Sequence, residues 1–286
     1  MKLSNLIALV TGASQGLGRA IAEEFVREGA HVAVCARDVA LIDRTGQELE
    51  RLASGNQQIF AVGCDVSSPE QVEKLFTEIE GRLGGVDVLV NNAGVYGPKG
   101  PSESVDLTSW CRAIEINLFG TFLPARRAIL NMKLKGGGKI INLSGGGATS
   151  PMPRISAYAA SKAAVVRLTE TLAEELREFS IDVNAVAPGA LNTRLLNEIL
   201  EAGPVAVGSA FFEKALKQLD SGGVPLAKAA RLCAYLASSE SNGITGKLIS
   251  AQWDPWENLQ MFREQLAQSD VYTLRRIVPE DRGFEW

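Results

Sequence analysis

Histidine is almost missing from this chain: there is one, His31, among 286 residues. The four cysteines, Cys35, Cys64, Cys111 and Cys233, are far apart and form no C-x-x-C pair. A Cys/His metal site or a disulfide framework is thereby set aside, and reduced thiols in the cytoplasm are the expectation. Basic charge is not in excess either. Lys and Arg number 29 against 33 Asp and Glu, a net charge of −4 with no basic block. That balance argues against nucleic acid or an anionic membrane as the main partner. The first apolar run, residues 6–10, stops after five residues, too short for a signal-peptide core or a membrane span. Pro/Ser-rich linkers, low-complexity segments and short repeats are also lacking, so the chain reads as one domain. Its 46% hydrophobic and 22% charged content is that of an ordinary globular protein.

What is present is a series of buried strands followed by helices. Residues 6–10, Leu-Ile-Ala-Leu-Val, are apolar without alternation, as a parallel strand covered on both faces requires. The run breaks at Thr-Gly-Ala-Ser-Gln-Gly-Leu-Gly, residues 11–18, and resumes as a helical pattern over 19–28. Strand, glycine-rich turn and helix in this order suit the phosphates of a dinucleotide. Gly12 permits the tight turn, Gly16 lets the backbone approach the pyrophosphate, Gly18 permits close helix packing, and the helix N-terminus offers free N–H groups. Residues 31–36 form the second strand, with His31 as a surface residue at its start. The strand ends in Ala36-Arg37-Asp38. An acid at the strand end would accept from a ribose 2′-hydroxyl, whereas a guanidinium suits a 2′-phosphate, so Arg37 favours NADP(H) over NAD(H). The other reading of Arg37 is an ion pair with Asp38 or Asp43.

The spacing predicts a helix over 39–52, a strand over 59–62 and a helix over 69–82 with Pro69 near its first position. A buried strand over 86–90 ends in Asn91-Asn92-Ala93-Gly94. Asp65-Val66 and Asn92 to Gly94 thus lie just past strand ends, where open α/β sheets bind ligands. One long helical stretch is expected over 107–134, with Asn117 in its middle. A mid-helix Asn is either a surface residue or one that bends the helix and holds water at a freed carbonyl. Further strands are expected over 138–143, before Ser144-Gly145-Gly146-Gly147, and over 181–186, before Pro188-Gly189. Five βα repeats imply a doubly wound parallel sheet with right-handed crossovers.

The helix beginning at Ser156 carries Tyr158 and Lys162, four apart and therefore on one face. A phenol ionises near pH ~10, and a neighbouring ammonium favours the phenolate. Such a pair is able to move protons near neutrality. The plain alternative is a packed Tyr and a solvated Lys.

Taken together, T-G-x-x-x-G-x-G at residues 11–18, N-N-A-G at 91–94, Asn117, Y-x-x-x-K at Tyr158/Lys162 and Pro188-Gly189 resemble the short-chain dehydrogenase/reductase family over roughly residues 5–251. The resemblance implies a single Rossmann domain of about seven parallel strands with helices on both faces, over residues 1–252. It also implies a nicotinamide cofactor, a carbonyl or alcohol substrate, and a homodimer or homotetramer. On that resemblance Tyr158 would be the acid/base, Lys162 would hold the nicotinamide ribose and lower the Tyr158 pKa, and Asn117 would anchor a relay water. Ser14, Gln15 and Leu17 would join the three glycines in the phosphate loop. Asp65 and Val66 would flank the adenine, Asn92, Ala93 and Gly94 would line the site with Pro188, Gly189 and Leu191, and Thr193 would bind the carboxamide of the nicotinamide. Residues of about 194–224 would form the substrate lid, with Phe211, Phe212, Leu216 and Leu219 as an apolar face or as ordinary helix packing.

Two features depart from the family. Thirteen residues before Tyr158, where the family carries a Ser that bonds the substrate oxygen, stands Gly145, with Ser144 one residue earlier. Either Ser144, Thr149 or Ser150 takes that role, or the role is lost. Loss of the role would fit a dinucleotide-binding protein with little dehydrogenase activity, or an isomerase or lyase that reuses Tyr158. The second departure is the segment 253–286, which holds Trp253, Trp256 and Trp286 as well as Phe262, Tyr272 and Phe284. Its aromatic load predicts packing on the domain, on the active-site mouth or on a neighbouring subunit.

Overall fold

The unalternating apolar runs do form central strands. A computed structural model of the chain describes residues 1–285, and Trp286 lies outside the described residues. The strands are β1 (Ile7–Thr11), β2 (His31–Ala36), β3 (Ile59–Gly63), β4 (Val88–Asn91), β5 (Gly138–Leu143), β6 (Ile181–Ala187) and β7 (Leu248–Ser250). They form one seven-stranded sheet in the order β3-β2-β1-β4-β5-β6-β7, with neighbouring strands parallel. Every residue of β1 is buried, as its lack of alternation requires.

Helices α1 (Gly16–Arg27), α2 (Val39–Leu52) and α3 (Pro69–Leu83) follow the first three strands. Local chemistry sets their ends. The Asp38 side chain caps α2 by accepting from Leu41 N at 3.0 Å. Ser68 caps α3, Pro69 occupies its first turn, and Gly84 closes it at φ 92. Further along come α4 (Leu107–Ile114), α5 (Gly120–Lys135), α6 (Ser156–Leu176), α7 (Arg194–Val207), α8 (Ser209–Ser221), α9 (Leu226–Ala237) and the short α10 (Arg263–Ala267). Side chains of α1, α2 and α9 close one face of the sheet, and those of α3, α5 and α6 the other.

The helix expected over 107–134 is in three parts: α4 (Leu107–Ile114), a π turn (Glu115–Phe119) and α5 (Gly120–Lys135). Asn117 stands at the centre of the π turn, and the Thr121 hydroxyl donates to its carbonyl at 2.8 Å. Pro124, which has no N–H, sits within the first turn and a half of α5. The bend carries Asn117, fully buried, to the ends of β4 and β5.

Residues 253–285 pack on their own domain. Trp256 is buried 5.9 Å from the Tyr235 ring of α9, and Leu259 and Leu266 are buried with it. Lys247 Nζ donates to the carbonyls of Ser269 and Val271 at 2.9 and 3.0 Å, and Leu248 N donates to Tyr272 O at 2.7 Å. The tail therefore covers the open edge of β7, which otherwise would present unpaired backbone groups. Not all of the aromatic load is covered: Trp253, Phe262 and Phe284 stay 78%, 48% and 50% exposed. Replacing Trp256 with Ala is expected to cost about 3–5 kcal/mol, the usual range for removing a buried large aromatic, whereas Trp253→Ala changes stability by no more than ~0.5 kcal/mol. Urea denaturation of both variants measures the contrast.

Candidate active site

Chain direction in the sheet creates the site. From β1 the chain proceeds outward through β2 to β3, and from β4 outward through β5 to β7, so the loops after β1 and β4 part and leave a crevice. The two loops are nevertheless tied at their base. Thr11 Oγ1 accepts from the backbone N–H of Asn92 at 3.0 Å and of Ala93 at 3.2 Å. The Asn92 amide donates to the carbonyls of Thr11 and Gly12 at 2.9 and 3.0 Å. Contact is so close that a Cβ on Gly12 would lie 2.7 Å from Ala93 Cα, and one on Gly18 would lie 2.4 Å from Asn92 Nδ2. Gly12 and Gly16 also take φ of 63 and 59, the left-handed region.

Above this junction runs a cleft of about 570 Å³, of the size of small-ligand sites generally. Its wall includes Gly12, Ser14, Gln15, Gly16, Leu17 and Gly18 of the first loop, Arg37 and Asp65 with Val66 at one end, and Tyr158 with Lys162 at the other. Asn92, Ala93, Gly94, Ser144, Pro188, Leu191 and Thr193 complete the expected residues that line it. Gly189 and Asn117 stand behind the wall. Gly189 turns the chain at φ 90, and Asn117 braces the site from below. The cleft also contains residues to which the motifs gave no role: Ala36 and Leu143 at the last positions of β2 and β5, Cys64 and Val95 past the ends of β3 and β4, Ile116 beside Asn117, and Arg194 after Thr193. The strand-end rule pointed to the first four; nothing local marked Ile116.

Asn117 uses its amide in full. Its Oδ1 accepts from Val95 N at 2.8 Å, and its Nδ2 donates to Val95 O and to Ser161 Oγ, both at 2.9 Å. This fastens the loop after β4 to α6, on which Tyr158 and Lys162 sit. Lys162 Nζ donates to Leu143 O at 2.7 Å and lies 5.8 Å from the centre of the Tyr158 ring. The Tyr158 hydroxyl has no hydrogen-bond partner among the described residues and opens on the cleft. The Ser144 hydroxyl is buried and likewise has no partner among them. Tyr96, which the motifs did not mark, stands edge-on to Tyr158 with ring centres 4.7 Å apart.

Burial dominates the titration of this pair. It pushes Lys162 from 10.5 down to about 8. Burial, with Tyr96 alongside, drives the Tyr158 phenol up rather than down. The resemblance implied an ammonium that lowers the phenol; in this structure desolvation of the phenolate is the leading influence. At the other end Asp65 lies below the usual carboxylate range. Burial alone would raise it, but hydrogen bonds from Ser67 and the Arg112 guanidinium prevail.

A family profile described as short chain dehydrogenase matches residues 6–203. The chain belongs to the short-chain dehydrogenase family. It is 39% identical to 3beta-hydroxysteroid dehydrogenase 1 of Eggerthella lenta over 249 residues, covering 85% of this chain and 91% of that one. It is 36% identical to a short-chain type dehydrogenase/reductase of Picea abies over 262 residues, with 86% and 91% covered. Among solved structures it resembles a gluconate 5-dehydrogenase of Burkholderia cenocepacia in complex with NADP and tartrate. There the TM-score is 0.77 and the identity 27%, with 87% of this chain and 94% of that one covered. The protein is an NAD(P)-dependent oxidoreductase of alcohols and carbonyls.

The residues fit a bound dinucleotide. The first loop carries glycine where a Cβ would strike the loop after β4, and a Cβ on Gly94 would come to 3.5 Å from Lys162 Nζ. Gly16 faces Thr193 across the cleft, so a side chain there would meet Thr193 Cγ2 at 3.5 Å. Over the cleft, α7 and α8 pack Leu196, Ile199, Val207 and Ala215 together, with Tyr96, Phe211 and Phe212 against them. Leu216 and Leu219 do not join that cluster and are 41% and 46% exposed. The apolar face expected of residues 211–219 is thus half of what the spacing implied. The helix places Phe211 and Phe212 inward and the two leucines outward.

Lys162 supplies a check on the electrostatics. Because its folded pKa lies below its unfolded one, the unfolded chain holds more protons between pH ~8 and ~10.5, so stability rises with pH through that window. Lys162→Met removes the buried charge and is expected to stabilise the fold at pH 7 by the order of 2 kcal/mol, with the gain shrinking toward pH 10. Thermal melts across that pH range test it; a variant less stable than the parent at pH 7 contradicts the sign.

Proposed function

We propose that this protein interconverts a secondary alcohol and a ketone with NADP(H) in preference to NAD(H), and that Tyr158 is its acid/base. The single observation that carries this reading is the unpartnered Tyr158 hydroxyl at the cleft wall, one helical turn from the buried ammonium of Lys162. The bound dinucleotide supplies or accepts the hydride. In the direction of reduction the carbonyl oxygen gains charge as its carbon gains the hydride, the Tyr158 O–H bond breaks, and a new O–H bond forms on the substrate. Lys162 holds positive charge beside that transfer and offers its remaining donors to the nicotinamide ribose. Asn117 keeps the Tyr158–Lys162 helix in register with the loop after β4. Ser144, with a buried and unpartnered hydroxyl, is the second donor near the reacting oxygen.

Arg37 supports the choice of NADP(H). It is exposed at the adenine end of the cleft and makes no ion pair among the described residues, while Asp38 is engaged as the cap of α2. The phosphate loop of Gly12, Ser14, Gln15, Gly16, Leu17 and Gly18 receives the pyrophosphate at the N-terminus of α1. The name of the Eggerthella relative makes a steroid the first compound class to assay. Self-association belongs to the same reading. Phe119, Phe122, Leu130 and Leu134 form an exposed apolar stripe along α5 and the turn before it, and a second copy of this chain is its proposed cover. Light scattering of the purified chain measures that part, and a monomeric mass removes it.

Tyr158→Phe keeps the ring and loses the proton. Turnover should drop by several orders of magnitude with dinucleotide affinity little changed; a variant within tenfold of the parent refutes the role. NADPH is expected to bind more tightly than NADH, and Arg37→Ala to remove about 1.5–3 kcal/mol of that preference, the range of a charge-assisted phosphate contact. Equal affinities of the parent protein for the two dinucleotides would count against the assignment.

A further inference from the structure

Gly145 takes the position of the family's serine, and its backbone does not call for a glycine. Its φ of −171 and ψ of 174 are ordinary extended values open to any residue. Space is the constraint instead. A Cβ built on Gly145 would lie 2.1 Å from the Tyr158 hydroxyl oxygen, 2.9 Å from Cζ and 3.2 Å from Cε1. The hydroxyl of Tyr158 therefore sits in the volume that any side chain at 145 would take.

Tyr158 has little freedom to withdraw. Its residue is 8% exposed, its ring is held edge-on by Tyr96, and it belongs to the first turn of α6. The segment beneath it is held as well. The backbone N–H of Ser144 donates to Val186 O at 2.8 Å, and a Cβ on Gly147 would strike Ala159 Cα at 2.6 Å. Residues 145–147 are thus pressed against the start of α6 at two points, one of them the hydroxyl itself.

We propose that Gly145 is a positioning residue for Tyr158: the glycine sets where the acid/base hydroxyl stands, and returning a serine to this position displaces it. Moving the oxygen from 2.1 Å to the 3.4 Å of ordinary contact requires a shift of about 1.3 Å (3.4 − 2.1), on the scale at which a misplaced catalytic group loses ~10²-fold in rate. The inference rests on the reading of Tyr158 given above, and the two fail separately.

The deciding measurement is a melting-temperature cycle over the parent, Gly145→Ala, Tyr158→Phe and the double variant, each with and without NADPH. Gly145→Ala is expected to lower the melting temperature of the parent by several degrees and that of the Tyr158→Phe background by clearly less, because removing the hydroxyl removes the nearest clash. Equal losses in both backgrounds overturn the inference, whatever the activity. Soluble expression of Gly145→Ala only in the Tyr158→Phe background supports it. Turnover is then followed with NADPH and a 3-ketosteroid or cyclohexanone. Gly145→Ser should lower kcat by ~10²-fold while the NADPH Kd stays within a few-fold, since the first loop is untouched. If Tyr158→Phe is inactive and Gly145→Ser is as fast as the parent or faster, the positioning role fails and the acid/base role stands. If Tyr158→Phe itself turns over normally, the acid/base reading is what fails.

Discussion

The rest of the structure depends on the contact between the loops after β1 and β4. Thr11 and Asn92 exchange hydrogen bonds across it, and the backbone of Gly12 lies too near Ala93 to admit a side chain. This junction marks where the sheet order reverses, so the same contact that closes the core opens the crevice above it. Two parallel strands cannot be joined by a tight hairpin, and their connecting helices must diverge to opposite faces. Glycine at 12 and 18 is what allows the divergence to begin with the strands still in contact. On the proposed reading a dinucleotide would lie over this junction, with its phosphates at the N-terminus of α1.

A second constraint is the burial of charge. Lys162 is 5% exposed, and burial of its ammonium disfavours the charged form. The Leu143 carbonyl and the bracing amide of Asn117 offset part of that cost by holding the helix and the lysine at fixed positions. The π turn belongs to the same device, since a regular helix through 115–119 would carry Asn117 out of line with Val95 and Ser161. Stability is spent here on geometry, as is common at functional sites. The tail does the opposite work at the far edge, covering β7 with Tyr272 and burying Trp256 on α9.

Much of this was legible in the chain. Residues 6–10 announce a buried parallel strand because they do not alternate, and the glycine spacing over 11–18 has one plain structural use after such a strand. Caps at Asp38, Ser68 and Gly84 are local signals, so the ends of α2 and α3 lie within a residue or so of their expected places. Every residue named from the sequence for the phosphate loop lines the cleft. Less legible were the split of the 107–134 helix and the outward turn of Leu216 and Leu219. Propensity over 107–134 is continuous, and only the network around Asn117 distinguishes a π turn from an ordinary one.

By itself, then, the sequence determined the succession of strands and helices, the family, and which residues stand at strand ends, because periodicity, capping and glycine placement act over a few neighbouring residues. The tertiary structure alone decided the rest of the site. Tyr96 meets Tyr158 across 62 residues of chain (158 − 96), the Gly145 position faces a hydroxyl thirteen residues away, and Lys162 is driven to about 8 by neighbours drawn from several elements. Steric exclusion and desolvation depend on distances between segments, and those distances exist only once the sheet has closed.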